Sequence, residues 1–406
     1  MKIAIIVNSF PSISETFILN HITGLIDKGH TIEIFAYVPP SISLMHSDIN
    51  KYDLLRYVKY RRILSNRFEK LIKIIIPTFQ LLSKCPKKFF RLLKSESSIK
   101  NIVNLINDSS SFLNSMEYDI IHAHFGLNGL CARNLIDAGI ISGKLVATFH
   151  GYDITRYVKQ KGVNAYNSLF ESDTLLLPVS NHWKQKLIQL GAREENIVVH
   201  RMGVDINRFN IKKYFRKNAH INIISIARLV EKKGIAYGIK AINELLKLNS
   251  NLLYHIVGDG PLMGSLVNIV KSFGIEKFVK FHGWKSQDEI VEMLSIVDIM
   301  IAPSITAKDG DQEGIPLALM EAMACAIPVV STQHSGISEL IDDGVSGFLV
   351  KERDFQCIAE KLSLLINDQE KAKKMGREAR KKIEYDHDID KQNSRIISIY
   401  KEFIKS

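Results

Sequence analysis

Short apolar runs at 2–7, 31–38, 119–123, 144–149 and 174–179 alternate with stretches at 17–28, 126–138 and 181–190 whose apolar residues recur every three or four positions. The first pattern predicts strands and the second amphipathic helices. The alternation then starts again, with strands at 221–227, 252–257, 278–281, 298–302 and 328–331 and helices at 235–248, 263–273, 287–295 and 316–326. Strands that are apolar on both faces need cover on both, which predicts parallel sheets sandwiched by helices. The expected class is therefore α/β, with two Rossmann-like domains at 1–205 and 206–385. A glycine and a charged, polar cluster within 201–217 mark the junction. Ile396, Ile397, Tyr400 and Ile404 predict a helix in the tail, 386–406. Ligands of open α/β sheets sit beyond the carboxyl ends of the strands, so two sheets facing each other predict a cleft between the domains.

The chain has 406 residues, enough for two cores, and a formal charge of +11. Twelve Lys or Arg against two acids, Glu69 and Glu96, fall between Lys59 and Lys100, an excess of ten in that one stretch. The remainder is close to neutral. A nucleic-acid binder would spread its cations over a reading surface with interleaved aromatics, and this local patch does not. Cys85, Cys131, Cys325 and Cys357 are scattered with no paired spacing, which excludes a structural zinc site and suits a reducing compartment. The apolar run after Met1 stops at Asn8, too early for a secretory leader, and no later stretch, 72–76 included, approaches the uninterrupted apolar length of a membrane span. A cytoplasmic protein is expected.

Four segments carry candidate chemistry. In PSITAKDGDQEGIPLALMEAMACAIPVVST, 303–332, a strand leads through a polar loop into a helix. Pro316 suits its first turn, and the backbone at Gly314, Ile315, Pro316 and Leu317 offers an anion site at the helix mouth. Glu313 stands in the loop and Glu321 lies eight residues on. Two carboxylates so placed can each accept hydrogen bonds from a vicinal diol; in isolation they read more readily as a helix cap and a solvated surface charge. Arg228 and Lys233, in ARLVEKKG after a strand, can clamp a diphosphate, and in isolation they read equally well as a surface ion-pairing set. His150 closes a strand in ATFHGYD, with Asp153 beside it, and so polar a cluster next to an apolar strand marks a candidate site. Ser14, Glu15 and Thr16 can line the cleft or cap the first helix. His122 and His124 project to one strand face; without a visible third ligand they are read as packing or substrate contacts. Asp309 and Asp311 are read as loop, and the turn 258–261 as structural.

Taken together and in order, these residues resemble glycosyltransferase family 4, a large family of retaining enzymes with the GT-B fold. The resemblance spans most of the chain. FPSISETFILN, HAHFG, ATFHGYD and DGDQEGIPLALMEAMA are similar to the colanic acid and amylovoran biosynthesis branch, and VSNHWKQKLIQLGAREENIVVHRMGVD is similar to the family's interdomain region. The resemblance implies a tail helix that packs back on the first domain. It also implies that Arg228 and Lys233 hold the donor diphosphate, that Glu313 contacts the transferred sugar, and that Glu321 binds the nucleotide ribose. Gly314–Leu317 would approach the sugar and distal phosphate, and His150 would stand beside the reacting sugar. His124, Asp153, Ser14, Glu15 and Thr16 are candidates for the acceptor side of the cleft. No metal or other cofactor is implied. Where many relatives carry a Gly-Gly loop after the first strand, this chain has Pro11–Thr16.

The expected activity is retaining transfer of a hexose-type sugar from a nucleotide-sugar to a lipid-linked oligosaccharide of an exopolysaccharide, capsule or O-antigen. A sugar-nucleotide epimerase, a phosphorylase or a non-catalytic sugar-binding partner are the alternatives that share the architecture. Residues 60–95 mix Lys and Arg with Ile63, Phe68, Leu71, Ile72 and Ile75, a pattern that suits a helix lying in an anionic membrane surface. The same pattern fits a helical insertion at 53–100 with a solvated basic face. The first places the protein on the inner face of the cell membrane; no nucleic acid is expected as a partner.

Overall fold

The computed structural model describes residues 1–12, 15–39, 46–61, 78–79, 82–83, 86, 90, 99–109, 111–112, 117–211 and 220–406. Two six-stranded parallel sheets organise the chain. The first has the order β3-β2-β1-β4-β5-β6, with β1 Lys2–Ser9, β2 Thr31–Val38, β3 Val58–Tyr60, β4 Glu117–His124, β5 Ser142–Phe149 and β6 Leu175–Pro178. The second has the order β12-β11-β10-β7-β8-β9, with β7 Ile221–Ile226, β8 Leu252–Val257, β9 Val279–Phe281, β10 Ile299–Ala302, β11 Val329–Thr332 and β12 Phe348–Val350. The two-sheet α/β arrangement predicted by the apolar pattern is the one found. The edge strands β3 and β12 escaped prediction: each is three residues long and offers no alternation to detect.

Central strands such as KIAIIVNS in β1 are buried along most of their length because helices cover both faces. In the first half these include α1, Thr16–Asp27, α2, Gly126–Asp137, and α3, Asn181–Gln189. The second half uses α4, Ile235–Leu246, α5, Gln287–Ile296, α6, Leu317–Ala324, α7, Phe355–Asn367, and α8, Gln369–Asp386. The tail forms α9, Ile389–Lys405. It leaves the second half and packs on α1, where Ile396, Ile397, Ile399 and Tyr400 join the core around Ile3, Ile22 and Val146. Ile404, expected on that face, is exposed, and Phe403 packs there instead.

The tail and the interdomain link cross closely. Val204 N–H donates to His387 O at 2.8 Å and Ile389 N–H to Val204 O at 3.1 Å. A Cβ on Gly203 would lie 2.6 Å from the Ile389 Cα, so only glycine fits the crossing. Most of the basic stretch 60–95 and its apolar positions lie outside the described residues, as does Ser14. Among the described residues no helix is long and apolar enough to cross a membrane.

Candidate active site

The carboxyl ends of the two sheets face a cleft of about 1440 Å³. One wall carries Glu15, Thr16, Phe17 and His150; the other carries Arg228, Lys232, Lys233, Glu313 and Glu321. The walls meet where the His150–Gly151 turn, after β5, abuts the loop before α6. A Cβ on Gly314 would stand 2.2 Å from the His150 carbonyl oxygen, and one on Gly151 (φ +124°) would stand 3.0 Å from Gly314 N. Backbone therefore touches backbone, which brings His150 beside the donor-side loop. We expect Gly314→Ala to push these walls apart and lower turnover roughly 10²-fold, measured at saturating donor. Ion pairs flank the contact: Arg156 to Asp309 at 3.0 Å, and Arg201 to Glu339 at 3.8 Å. Glu339 also accepts from the Asn181 and His182 N–H groups at 3.0 and 2.7 Å.

Glu313 is buried against two ammonium groups, Lys233 Nζ at 2.6 Å and Lys232 Nζ at 3.3 Å. Burial alone would push its carboxyl up, but the two lysines outweigh it and hold the group at about 2. Lys232 was overlooked in the sequence although it precedes Lys233; it is buried and also pairs with Asp311 at 3.0 Å. Desolvation opposes the Lys232 charge, yet Glu313 and Asp311 together raise its pKa. Lys233 lacks that second carboxylate, and burial lowers it. Asp309 and Asp311 each engage a cation, which supports reading them as loop residues. The Glu313 backbone is held by His334 Nε2, which accepts from its N–H at 3.0 Å, while His334 Nδ1 meets Glu352 at 2.6 Å.

Arg228 extends into the cleft without a hydrogen bond or ion pair to any described residue. Opposite it, Glu15 caps no helix N–H; burial raises its carboxyl to about 7 against the pull of Arg228. Thr16 opens α1 on the same wall.

Pro316 is the N-cap of α6 and not its first-turn residue, and it has neither an N–H nor a capping side chain. The uncapped first turn at Leu317 and Ala318 lines the cleft and presents the positive end of the helix to it. Glu321, one turn further on, is buried rather than a surface charge. Burial raises its carboxyl to about 7, eased by Gln287 Nε2 at 3.5 Å.

Two expectations fail. Asp153 is fully buried and lines no part of the cleft; its carboxylate accepts from the N–H groups of Gly126, His150 and Gly151 at 3.0, 3.1 and 2.9 Å. It fixes the turn that carries His150. His124 also lies behind that wall, where its Nδ1 meets His150 Nε2 at 3.2 Å. The third histidine not visible in the sequence is His21 of α1, which reaches the His122–His124 pair only through helix packing.

Family signatures cover residues 14–382 of this architecture. "Glycosyltransferase Family 4" matches residues 14–208 and "Glycosyl transferases group 1" matches 207–382. A chain of Escherichia coli (strain K12) assigned to colanic acid biosynthesis, WcaL, is 35% identical over 98% of this chain and 99% of its own length. The chain belongs to glycosyltransferase family 4. The amylovoran biosynthesis glycosyltransferase AmsK of Erwinia amylovora is 37% identical over 88% of this chain and 89% of its own. HepE of Anabaena, solved with UDP and glucose, shares the fold at a TM-score of 0.71 and 19% identity, over 99% of this chain and 100% of that one. Sucrose-phosphate synthase of Thermosynechococcus elongatus superposes at 0.72 and 15% identity, over 100% and 99%. The family-4 chain is thus a glycosyltransferase with the GT-B fold.

Proposed function

We propose that this glycosyltransferase moves a hexose-type sugar, with retention of configuration, from a nucleotide-sugar to a lipid-linked oligosaccharide of an exopolysaccharide, capsule or O-antigen. The observation that carries the proposal is the convergence of Arg228, Glu313 with its lysines, the uncapped α6 turn, Glu321 and His150 on one cleft. The names of WcaL and AmsK, tied to colanic acid and amylovoran, support the polysaccharide, and the UDP and glucose in HepE support the donor class.

In this mechanism the donor diphosphate lies between Arg228 and the first turn of α6, where two sources of positive potential meet its charge. The bond from the sugar C1 to phosphate breaks as an acceptor hydroxyl oxygen bonds to C1 from the same face. The acceptor proton passes to the departing phosphate oxygen. Glu313 is a poor nucleophile because two ammonium groups stabilise its charge; it orients the sugar through hydroxyl hydrogen bonds. Glu321 holds the ribose diol, and His150 contacts a substrate oxygen. Arg228 and the positive end of α6 meet the diphosphate charge without a divalent metal, so EDTA should leave the rate unchanged. Basic residues in 60–95 would draw the enzyme to anionic membrane, where a lipid-linked acceptor resides; co-sedimentation with anionic vesicles at low salt checks this.

Thermal denaturation with UDP-, GDP- and ADP-sugars tests the donor, because a ligand of the folded state raises Tm. One nucleotide class should raise it, and NMR of the product should show the donor's anomeric configuration. No shift with any of the three, or an inverted product, would refute the proposal.

Glu321 adds a second check. Its folded-state pKa of about 7 lies above the ordinary 4.5. Stability from this group is therefore fully present below 4.5 and is lost as pH rises through 7. Glu321→Gln should melt higher than the parent at pH 8, with the gap closing toward pH 4.5, and should bind the nucleotide-sugar more weakly. Calorimetry at the two pH values reads the first effect and donor titration the second.

A further inference from the structure

Behind His150 the buried polar groups form one continuous row. His150 Nε2 meets His124 Nδ1 at 3.2 Å, His124 Nε2 meets His21 Nδ1 at 3.0 Å, and His21 Nε2 meets the Tyr400 hydroxyl at 3.1 Å. The same hydroxyl bonds His122 Nδ1, and His122 Nε2 meets Thr148 Oγ1 at 2.7 Å. The row draws on α1, β4, β5 and α9. Among the described residues no carboxylate pairs with any of the four imidazoles, and His200, which lines the same small cavity, donates to the Gln392 carbonyl at 3.1 Å. Burial holds His21, His122 and His124 well below the usual imidazole range and His150 at about 3, so all four are neutral at physiological pH.

A neutral imidazole has one N–H donor and one bare acceptor, so each link fixes the next. The direction is set at the far end. Thr148 is buried, and among the described residues its hydroxyl hydrogen has only His122 Nε2 to accept it. His122 then carries its proton on Nδ1 and donates to the Tyr400 oxygen. Tyr400 donates to His21 Nε2, His21 donates from Nδ1 to His124 Nε2, and His124 donates from Nδ1 to His150 Nε2. His150 is left with its proton on Nδ1, the one ring nitrogen of the row that is buried without a partner.

We propose that Thr148, His122, Tyr400, His21 and His124 are positioning residues that lock His150 as its Nδ1–H tautomer, so that it offers a hydrogen-bond donor to a substrate oxygen in the cleft. The proposal rests on the placement of His150 beside the substrate under Proposed function. It also ties the seating of the C-terminal helix, through Tyr400, to a proton in the site. Ligand atoms of His21, His122 and His124 lie within 4.8 Å of one another, a spacing open to a metal ion. Yet every ring nitrogen of the three is already engaged in the row, so a metal would have to displace several of these bonds.

The test uses full-length protein labelled with ¹⁵N-histidine, with the His150 signals assigned by their loss in His150→Gln. Long-range ¹H–¹⁵N spectra without substrate should show His150 protonated on Nδ1. Tyr400→Phe keeps the ring and removes the relay hydroxyl, and Thr148→Val removes the group that sets the direction. Both should give mixed His150 tautomers and a kcat about tenfold lower with donor Kd unchanged, as expected for one hydrogen bond lost in the transition state. Thr148→Ser, which restores a hydroxyl, should recover the tautomer and the rate. The proposal is overturned if His150 of the parent carries its proton on Nε2. It is also overturned if either folded variant keeps the Nδ1 tautomer and full kcat, or if stoichiometric Zn²⁺ shifts the His21, His122 and His124 signals and is needed for activity. The tautomer is read without turnover, so an inactive parent protein would count against the proposed function and not against the relay.

Discussion

Arg228→Ala should lower kcat/KM by roughly 10²–10³, the loss typical of removing one preorganised electrostatic group from a transition state. Its Tm should move by no more than about 2 °C, because the exposed guanidinium has no hydrogen bond or ion pair to a described residue and such surface changes cost little. The separation of the two effects is the informative part. A side chain that serves only the folded protein would lose stability first. Steady-state kinetics with the donor found by thermal shift, beside a melting curve, measures both. Retention of parental kcat/KM would remove Arg228 from the diphosphate site.

Glu313→Ala should do the reverse and lose both. It leaves Lys233, and in part Lys232, as buried charges without their counter-ion, and breaking such a pair costs about 3–5 kcal/mol. Lys232 keeps Asp311 at 3.0 Å, so Lys233 is the cation left most exposed to this penalty. The sign of the pH effect follows from the lowered pKa. Glu313 sits at about 2 in the folded state against an ordinary 4.5. Its contribution is present above 4.5 and is lost as pH falls through 2. Denaturant unfolding of the parent and of Glu313→Gln should therefore converge in that acid window. Glu313→Leu combined with Lys233→Met should recover stability relative to Glu313→Ala, since a packed apolar pair avoids the desolvation cost, while turnover stays lost. An equally unstable double variant would show that the ion pair is not the source of the penalty.

Much of this was legible in residue order. The alternation of apolar runs with helical periodicity marked ten of the strands to within a residue or two, because burial on both faces leaves a local imprint. Arg228, Lys233, Glu313 and Glu321 could be picked out by spacing because each lies on or just beside an element whose direction the pattern had already set. Misjudged residues share a different feature. Asp153 and His124 sit beside a true cleft residue in sequence, but strand pleat and turn geometry send them behind the wall. Polarity near a strand end marks a site without saying which side chain enters it.

The apolar periodicity and the ordered motifs determined, by themselves, the two-sheet fold class, the family and the set of cations and carboxylates available for chemistry, since each is written within a few dozen residues. Only the tertiary structure decided that Glu313 is shared by two lysines, that Gly314 touches the His150 carbonyl, and that His21 and Tyr400, 379 positions apart, meet beside His122. Contacts at that separation depend on how whole layers pack, and packing leaves no periodic trace in the segments it joins.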